Sequence, residues 1–199
     1  MTFESPDKGR QVIELGTHRD CHFDLVAGDL TTIEADVAVA ALCAQPHLRH
    51  LAPGIDALDR ALRGAIARLR AEGIFTGSWS EILYLSSLPS TIKVKGVILL
   101  GLGPTGRNSR VKVRRAFMIA ASQAIRLGAD HAAFAPAQLN TGLPRYNAEA
   151  SAYAVLQGIS DAVGRMRGGL RRCSFVAPEQ ELEAVAEKFA LAFRRVVEH

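Results

Sequence analysis

The sequence predicts a single α/β domain in three layers, helices on both faces of a largely parallel or mixed central sheet. Three observations carry this. Strand-like and helix-like segments alternate nearly to the end of the chain, the pattern of a sheet covered on both sides. The segment Asp36–Leu42 (DVAVAAL) is an almost unbroken apolar run, as suits a strand buried on both faces. No repeat, low-complexity run or linker divides the 199 residues, a length that fits one domain rather than two.

The elements follow in order. Residues 1–10 read as a frayed tail, which leaves 11–199 as the domain. Gln11–Leu15 and His22–Ala27 are short strands, separated by the turn-like Gly16-Thr17-His18. Asp36–Leu42 is the buried strand. Ile55–Glu72 is the strongest helix: Ile55, Leu58, Leu62, Ile66 and Leu69 recur at three- and four-residue steps, and Gly73 closes it. Glu81–Leu85 and Val94–Leu100 are the next strands. Lys112–Leu127 is a helix stopped by Gly128, and Ala132–Ala135 a short buried strand. Asn147–Val163 is a helix, Cys173–Val176 the last strand, and Glu179–Val197 a final amphipathic helix.

Composition narrows the function classes. Lys and Arg number 24 against 20 Asp and Glu, a net charge of +4, and aromatic residues make up 6%. That is too weakly basic and too poor in aromatics for a nucleic-acid stacking platform, so no nucleic-acid partner is expected. An anionic small ligand is compatible with it. Cys21, Cys43 and Cys173 form no CxxC pair, so neither a disulfide framework nor a zinc set is expected, and reduced thiols point to a cytoplasmic protein. The charged first twenty residues hold no apolar signal-peptide core. The longest apolar stretch, Val37–Ala44, is far short of the ~18 residues that span a bilayer. No membrane partner is expected.

In such sheets ligands sit beyond the carboxyl ends of the strands, so the loops that matter are Gly28–Thr32, Cys43–Gly54, Gly101–Arg110 and Pro136–Tyr146. Gly101-Leu102-Gly103-Pro104-Thr105-Gly106 fits the G-x-G-x-x-G dinucleotide pattern. Pro104, however, removes a donor where a pyrophosphate would need one, and the helix starts several residues later, near Ser109. A glycine-rich strand-to-helix turn is the better reading. Arg107, Arg110, Lys112, Arg114 and Arg115 follow it. They read as a solvated face, with an anion contact as the alternative. In Pro136–Tyr146 the small residues Asn140, Thr141 and Gly142 can aim backbone donors at a phosphate, or form ordinary turn structure. Asp29 can accept from a ligand amine or cap its own turn. His47 and His50 lack further converging ligands, so no metal site is expected. No nucleophile–base constellation emerges, and no cofactor is expected.

These residues resemble known families. DVAVAAL, IDALDRALRGAIARLRAEGIFTG, EILYLSSLP and KVKGVILLGLG, in one register from Asp36 to Gly103, resemble the amino-terminal domain of the leucyl aminopeptidases. The resemblance implies a macro-domain-like α/β/α fold. Val26-Ala27-Gly28-Asp29-Leu30-Thr31 with Glu34-Ala35-Asp36-Val37, and Phe134-Ala135-Pro136-Ala137 with Asn140-Thr141-Gly142-Leu143, resemble the nucleotide-contacting turn and the diphosphate loop of ADP-ribose-binding macro domains. It follows from the resemblance that Asp29 and Leu30 would meet the adenine. Asn140, Thr141 and Gly142 would hold the diphosphate, and Gly101 and Gly103 would line the same cleft. Ala40-Ala41-Leu42-Cys43 stands where macro domains active on ADP-ribose carry Asn-Ala-Ala-Asn, and Leu51-Ala52-Pro53-Gly54 where they carry three glycines. The peptidases hold their two metals and catalytic residues in a separate carboxyl-terminal domain, which this sequence does not contain. The expectation is therefore a non-peptidase macro-like domain that binds a nucleotide of the ADP-ribose class. Its alternatives are a regulatory or oligomerisation module, with a protein or a second copy as partner, and an ADP-ribosyl hydrolase.

Overall fold

The computed structural model describes residues 9–44, 53–135, 148–166 and 169–198. Seven strands form one sheet: β1 (Val12–His18), β2 (Cys21–Ala27), β3 (Val37–Ala44), β4 (Ile82–Leu85), β5 (Gly96–Pro104), β6 (His131–Ala135) and β7 (Arg172–Ala177). Their spatial order is β1-β2-β7-β6-β3-β5-β4. The five inner strands run parallel, and β1 and β4 close the edges antiparallel. The predicted mixed sheet is what forms.

β3 shows why. Val37 through Leu42 are all buried, with nothing larger than Leu and no polar side chain. Such a strand needs a neighbour on each edge and a layer on each face. β5 and β6 supply the edges. On one face lie α3 (Arg110–Arg126), α4 (Ala148–Arg165) and α5 (Leu182–Val197), whose apolar stripes join Val37, Val39 and Ala41. On the other lie α1 (Pro53–Ala61) and α2 (Ala65–Ala71), packed on Ala38, Ala40 and Leu42. A chain of rings, Phe117–Phe134–Phe175–Phe189, crosses the first layer with centroids 4.4–6.3 Å apart. Small residues let α3 and α4 approach: a Cβ on Gly158 would lie 2.2 Å from the Arg114 carbonyl oxygen. Arg114 then reaches across to Asp161, Nε to Oδ2 at 2.6 Å.

Two local expectations are corrected. The helix expected as Ile55–Glu72 is two helices, because Arg63 and Gly64 take positive φ (56° and 75°). The apolar periodicity runs through the break and hides it. The cause is Asp59, a buried acid whose Oδ1 accepts from the Ile66 amide at 2.7 Å and so caps α2. The β1–β2 turn lies at Arg19-Asp20 (φ 53° and 63°), not at Gly16-Thr17-His18. Those three residues belong to β1, and the register shift between Glu14 and Gly16 is a bulge.

The amino ends of the strands are tied by charge. Asp36, just before β3, accepts from Lys95 Nζ at 2.6 Å and from the Asp130 and His131 amides, each at 3.0 Å. Partial burial works to raise its pKa, but these donors outweigh burial and hold it below the usual carboxylate range. Asp24, fully buried on β2, accepts from Arg172 Nε on β7 at 2.7 Å. Among the described residues no helix is long and apolar enough to cross a membrane.

Asp59→Ala removes the cap of α2 and leaves a buried amide without its acceptor. It is expected to cost about 1–2 kcal/mol, measured as a lower urea midpoint at unchanged m-value. A change within 0.3 kcal/mol, on the scale of an ordinary surface substitution, would show that the cap does not hold the break.

Candidate ligand-binding site

The carboxyl ends of β2, β7, β6, β3 and β5 all point the same way, which places the expected cleft there. Of the sequence-derived site residues, Asn140, Thr141 and Gly142 fall outside the described residues, as do His47 and His50. The others sit as follows.

Asp29 follows β2 and is half-buried. Its Oδ1 accepts from the Thr31 amide at 2.7 Å and from the Thr31 hydroxyl, so the turn-capping role is real. Its Oδ2 makes no hydrogen bond among the described residues. Leu30 is 1% exposed and belongs to the core under α1 and α2, next to Ile33 and Val26. Only its backbone could meet a ligand. The Gly28 amide donates to the Ala177 carbonyl, which joins this turn to the end of β7.

Gly101 and Gly103 lie within β5, not in a free loop. Their amides are already used: Gly101 N–H donates to Glu81 O at 2.8 Å, and Gly103 N–H to Gly77 O at 2.9 Å. The sequence reading missed the segment responsible, Thr76–Glu81, a hook laid over the end of β5 before the chain enters β4. Both glycines are required by it. A Cβ on Gly101 would stand 1.9 Å from the Ser78 carbonyl oxygen, and Gly103 holds φ +72° with Trp79 against it. The G-x-G pattern therefore records a close backbone approach within the protein. The available signal was Glu81, placed five residues after Thr76 and three after Ser78.

The hook is pinned on that carboxylate. Glu81 accepts from the Thr76 amide (3.0 Å), the Thr76 hydroxyl (2.8 Å) and the Ser78 amide (2.9 Å). Burial pushes its pKa up, but the hydroxyl and amide donors outweigh it and hold the group below its usual range. The tip, Gly77, rests on β3: a Cβ there would lie 3.0–3.1 Å from Cys43 and Ala44 backbone atoms. The Cys43 carbonyl also accepts from Arg70 at 3.2 Å, and its thiol is hydrogen-bonded with Thr105 and pushed up by burial.

α3 begins where expected, with the Ser109 hydroxyl accepting from the Lys112 amide. Of the basic cluster, Arg114 pairs with Asp161, and Arg115 lies over the half-exposed Trp79 ring at 5.5 Å. No group of three or more potential metal ligands occurs among the described residues. An open cavity of about 680 Å³ lies at the opposite end of the sheet, between Arg19, Asp20, Asp130, Gly164 and Arg171. It faces the amino ends of the parallel strands, where this architecture does not bind ligands.

With this geometry in place, comparisons with known proteins are informative. The model of the cytosol aminopeptidase family, N-terminal domain, matches residues 38–161, more than half of the chain. Curated protein sequences give no significant match. A mutant Oceanobacillus iheyensis macrodomain with ADPR aligns at 17% identity over 95% of this chain and 100% of that one, TM-score 0.68. A Trypanosoma brucei macrodomain in complex with ADP aligns at 18% identity over 85% of this chain and 68% of that one, TM-score 0.63. A mutant tomato leucine aminopeptidase aligns at 18% identity over 87% of this chain and 35% of that one, TM-score 0.58. These likenesses establish the three-layer macro-like fold.

Glu81→Gln tests the pin. The carboxylate's contribution is fully present above its unfolded pKa of about 4.3 and is lost as pH falls through the lower folded value. The variant is expected to be less stable at pH 7 by about 1 kcal/mol and to lose less stability than the parent between pH 5 and pH 3. Parallel curves of unfolding free energy against pH would remove Glu81 as the pin.

Proposed function

From the premise that this chain belongs to the cytosol aminopeptidase family through its N-terminal domain, we propose that it is a macro-like domain binding a small nucleotide of the ADP-ribose class. The ligand lies across the carboxyl ends of the parallel strands. The observation that carries the reading is Asp29. It stands half-buried at the carboxyl end of β2, with one oxygen fixing its own turn and the other without a partner among the described residues. A carboxylate held in place with a spare acceptor suits an exocyclic amine. Leu30 contributes its backbone N–H. Asn140, Thr141 and Gly142, which follow β6 in the sequence, supply diphosphate contacts. Gly101 and Gly103 shape the wall, their amides being taken by the hook. The ADP and ADPR named for the two macrodomains support the ligand class.

ADP-ribosyl hydrolysis is not favoured, since the side chains from Ala40 to Leu42 offer no polar group to a reacting sugar. The regulatory or oligomerising alternative draws on the family itself. The aligned part is 35% of the tomato enzyme's length, and that enzyme's activity is not carried over.

Isothermal titration calorimetry with ADP-ribose, with AMP and NAD as controls, tests the proposal. A saturable micromolar isotherm is expected, and a flat trace at millimolar ligand rejects the reading. Asp29→Asn keeps the acceptor for Thr31 while turning a donor toward the amine. It is expected to weaken binding by roughly 1–3 kcal/mol, with the thermal midpoint unchanged. Unaltered affinity would take Asp29 out of the site.

A further inference from the structure

Asp29 can serve a ligand's amine only where its turn puts it, and the turn is placed from outside as well as from within. Its own bonds set its shape. Asp29 Oδ1 accepts from the Thr31 amide at 2.7 Å, and the Asp29 carbonyl accepts from the Thr32 amide at 3.3 Å and the Thr32 hydroxyl at 3.2 Å. Leu30 and Ile33 seat its apolar side in the core. Two further bonds reach the turn from distant parts of the chain. The Lys93 amide donates to the Thr31 carbonyl at 3.1 Å. The Arg10 guanidinium donates through Nη2 to the Thr32 carbonyl at 2.6 Å, across 22 residues of sequence.

Arg10 is the last residue of the stretch that reads in sequence as a tail, yet it is held in place. The β1–β2 pairing runs on to Gln11, whose carbonyl accepts from the Ala27 amide at 2.9 Å, and this keeps Arg10 beside the end of β2. A charged donor makes a bond about twice as strong as a neutral one. Here that bond ends on the residue that also holds Asp29. Thr32 couples the two: its carbonyl takes the guanidinium, and its amide and hydroxyl donate to the Asp29 carbonyl. Loss of the guanidinium loosens Thr32, and Asp29 with it. A carboxylate that must meet an amine at about 3 Å tolerates little of that freedom, since the bond is gone by roughly 3.6 Å.

We infer that Arg10 is a positioning residue of the ligand site, holding Asp29 through Thr32 where it selects a base that bears an exocyclic amine over one that bears a carbonyl oxygen in its place. The inference rests on the proposed nucleotide site and deepens it by naming what sets its base selectivity.

The test is the ratio of affinities for ADP and inosine diphosphate, measured by calorimetry on the full chain and two variants. Inosine diphosphate carries a carbonyl oxygen where ADP has the amine. Arg10→Met keeps the length and apolar stem of the side chain and removes the donor, whereas Arg10→Lys keeps a charged donor. Both ligands are measured on the same folded population, so a general loss of stability leaves the ratio unchanged. The parent is expected to prefer ADP by about tenfold or more. Arg10→Met is expected to lose at least about threefold of that preference, and Arg10→Lys to lose less than Arg10→Met. A smaller loss in Arg10→Met, or an equal loss in both variants, overturns the inference and leaves the proposed function standing. A parent that binds ADP with less preference than this overturns the inference together with the contact between Asp29 and the amine. A parent that binds neither nucleotide overturns the inference and the proposed function together.

Discussion

The rest of the structure depends on the burial of β3 on both faces. A strand reading Val-Ala-Val-Ala-Ala-Leu has no side chain that tolerates water and none large enough to fill a core alone. It can only lie at the middle of a sheet, with helices close on either side. Chain order then has to yield. β2 precedes β3 in sequence, yet β6 and β7 return later to fill the space between them. The crossovers that bring them back run through α3 and α4, and the same helices form part of one covering layer. Apolar burial at roughly 25 cal/mol per Å² is the driving term. The alanines of β3, β6 and α3 set how near the layers come.

That arrangement gives the two ends of the sheet different characters. At the amino ends, loops from distant parts of the chain meet and are stitched by ions. Asp36 ties the start of β3 to Lys95 and to the start of β6, and Asp24 ties β2 to β7 through Arg172. A paired charge with 0% exposure, such as Asp24, adds little net stability, but removing one partner would strand the other. These contacts fix register more than they add free energy. Near the carboxyl end of β5 the contacts are made by backbone: the hook bonds Gly101 and Gly103, and its Gly77 leans on Cys43 and Ala44 of β3.

Much of this was legible in the sequence, and the failures have physical reasons. Strands and helices followed from periodicity because each buries one face or both, and β3 announced its central place by composition alone. The break between α1 and α2 was not legible. Leu62 and Ile66 keep helical spacing across a non-helical Arg63-Gly64, and the tell-tale is a buried acid, Asp59, whose role depends on an amide seven residues on. The hairpin tip was misplaced because Gly16 looks like a turn residue, whereas its φ of 132° serves a bulge facing Phe193. Gly101 and Gly103 fit a dinucleotide pattern in sequence and read better as a strand-to-helix turn, yet both lie inside β5. Glycine signals that backbone must come close to something, and sequence alone does not say whether that partner is a ligand or another strand.

The same ambiguity bears on how resemblance should be used here. Shared fold at 16–18% identity shows the layout of the sheet, and fold by itself does not fix function. What can bind is decided by groups the layout does not specify. Asp29 Oδ1 accepts from Thr31, and among the described residues its Oδ2 makes no hydrogen bond. Gly101 and Gly103 keep no free amide because Thr76–Glu81 has taken both. Two features of equal weight in the sequence thus differ in the fold by the hydrogen bonds they make: the Gly101 and Gly103 amides are both used, whereas one Asp29 oxygen has no partner among the described residues. The difference lies in which hydrogen bonds the protein has already made with itself, since a donor used in the fold is not available to a ligand without loss of the first bond.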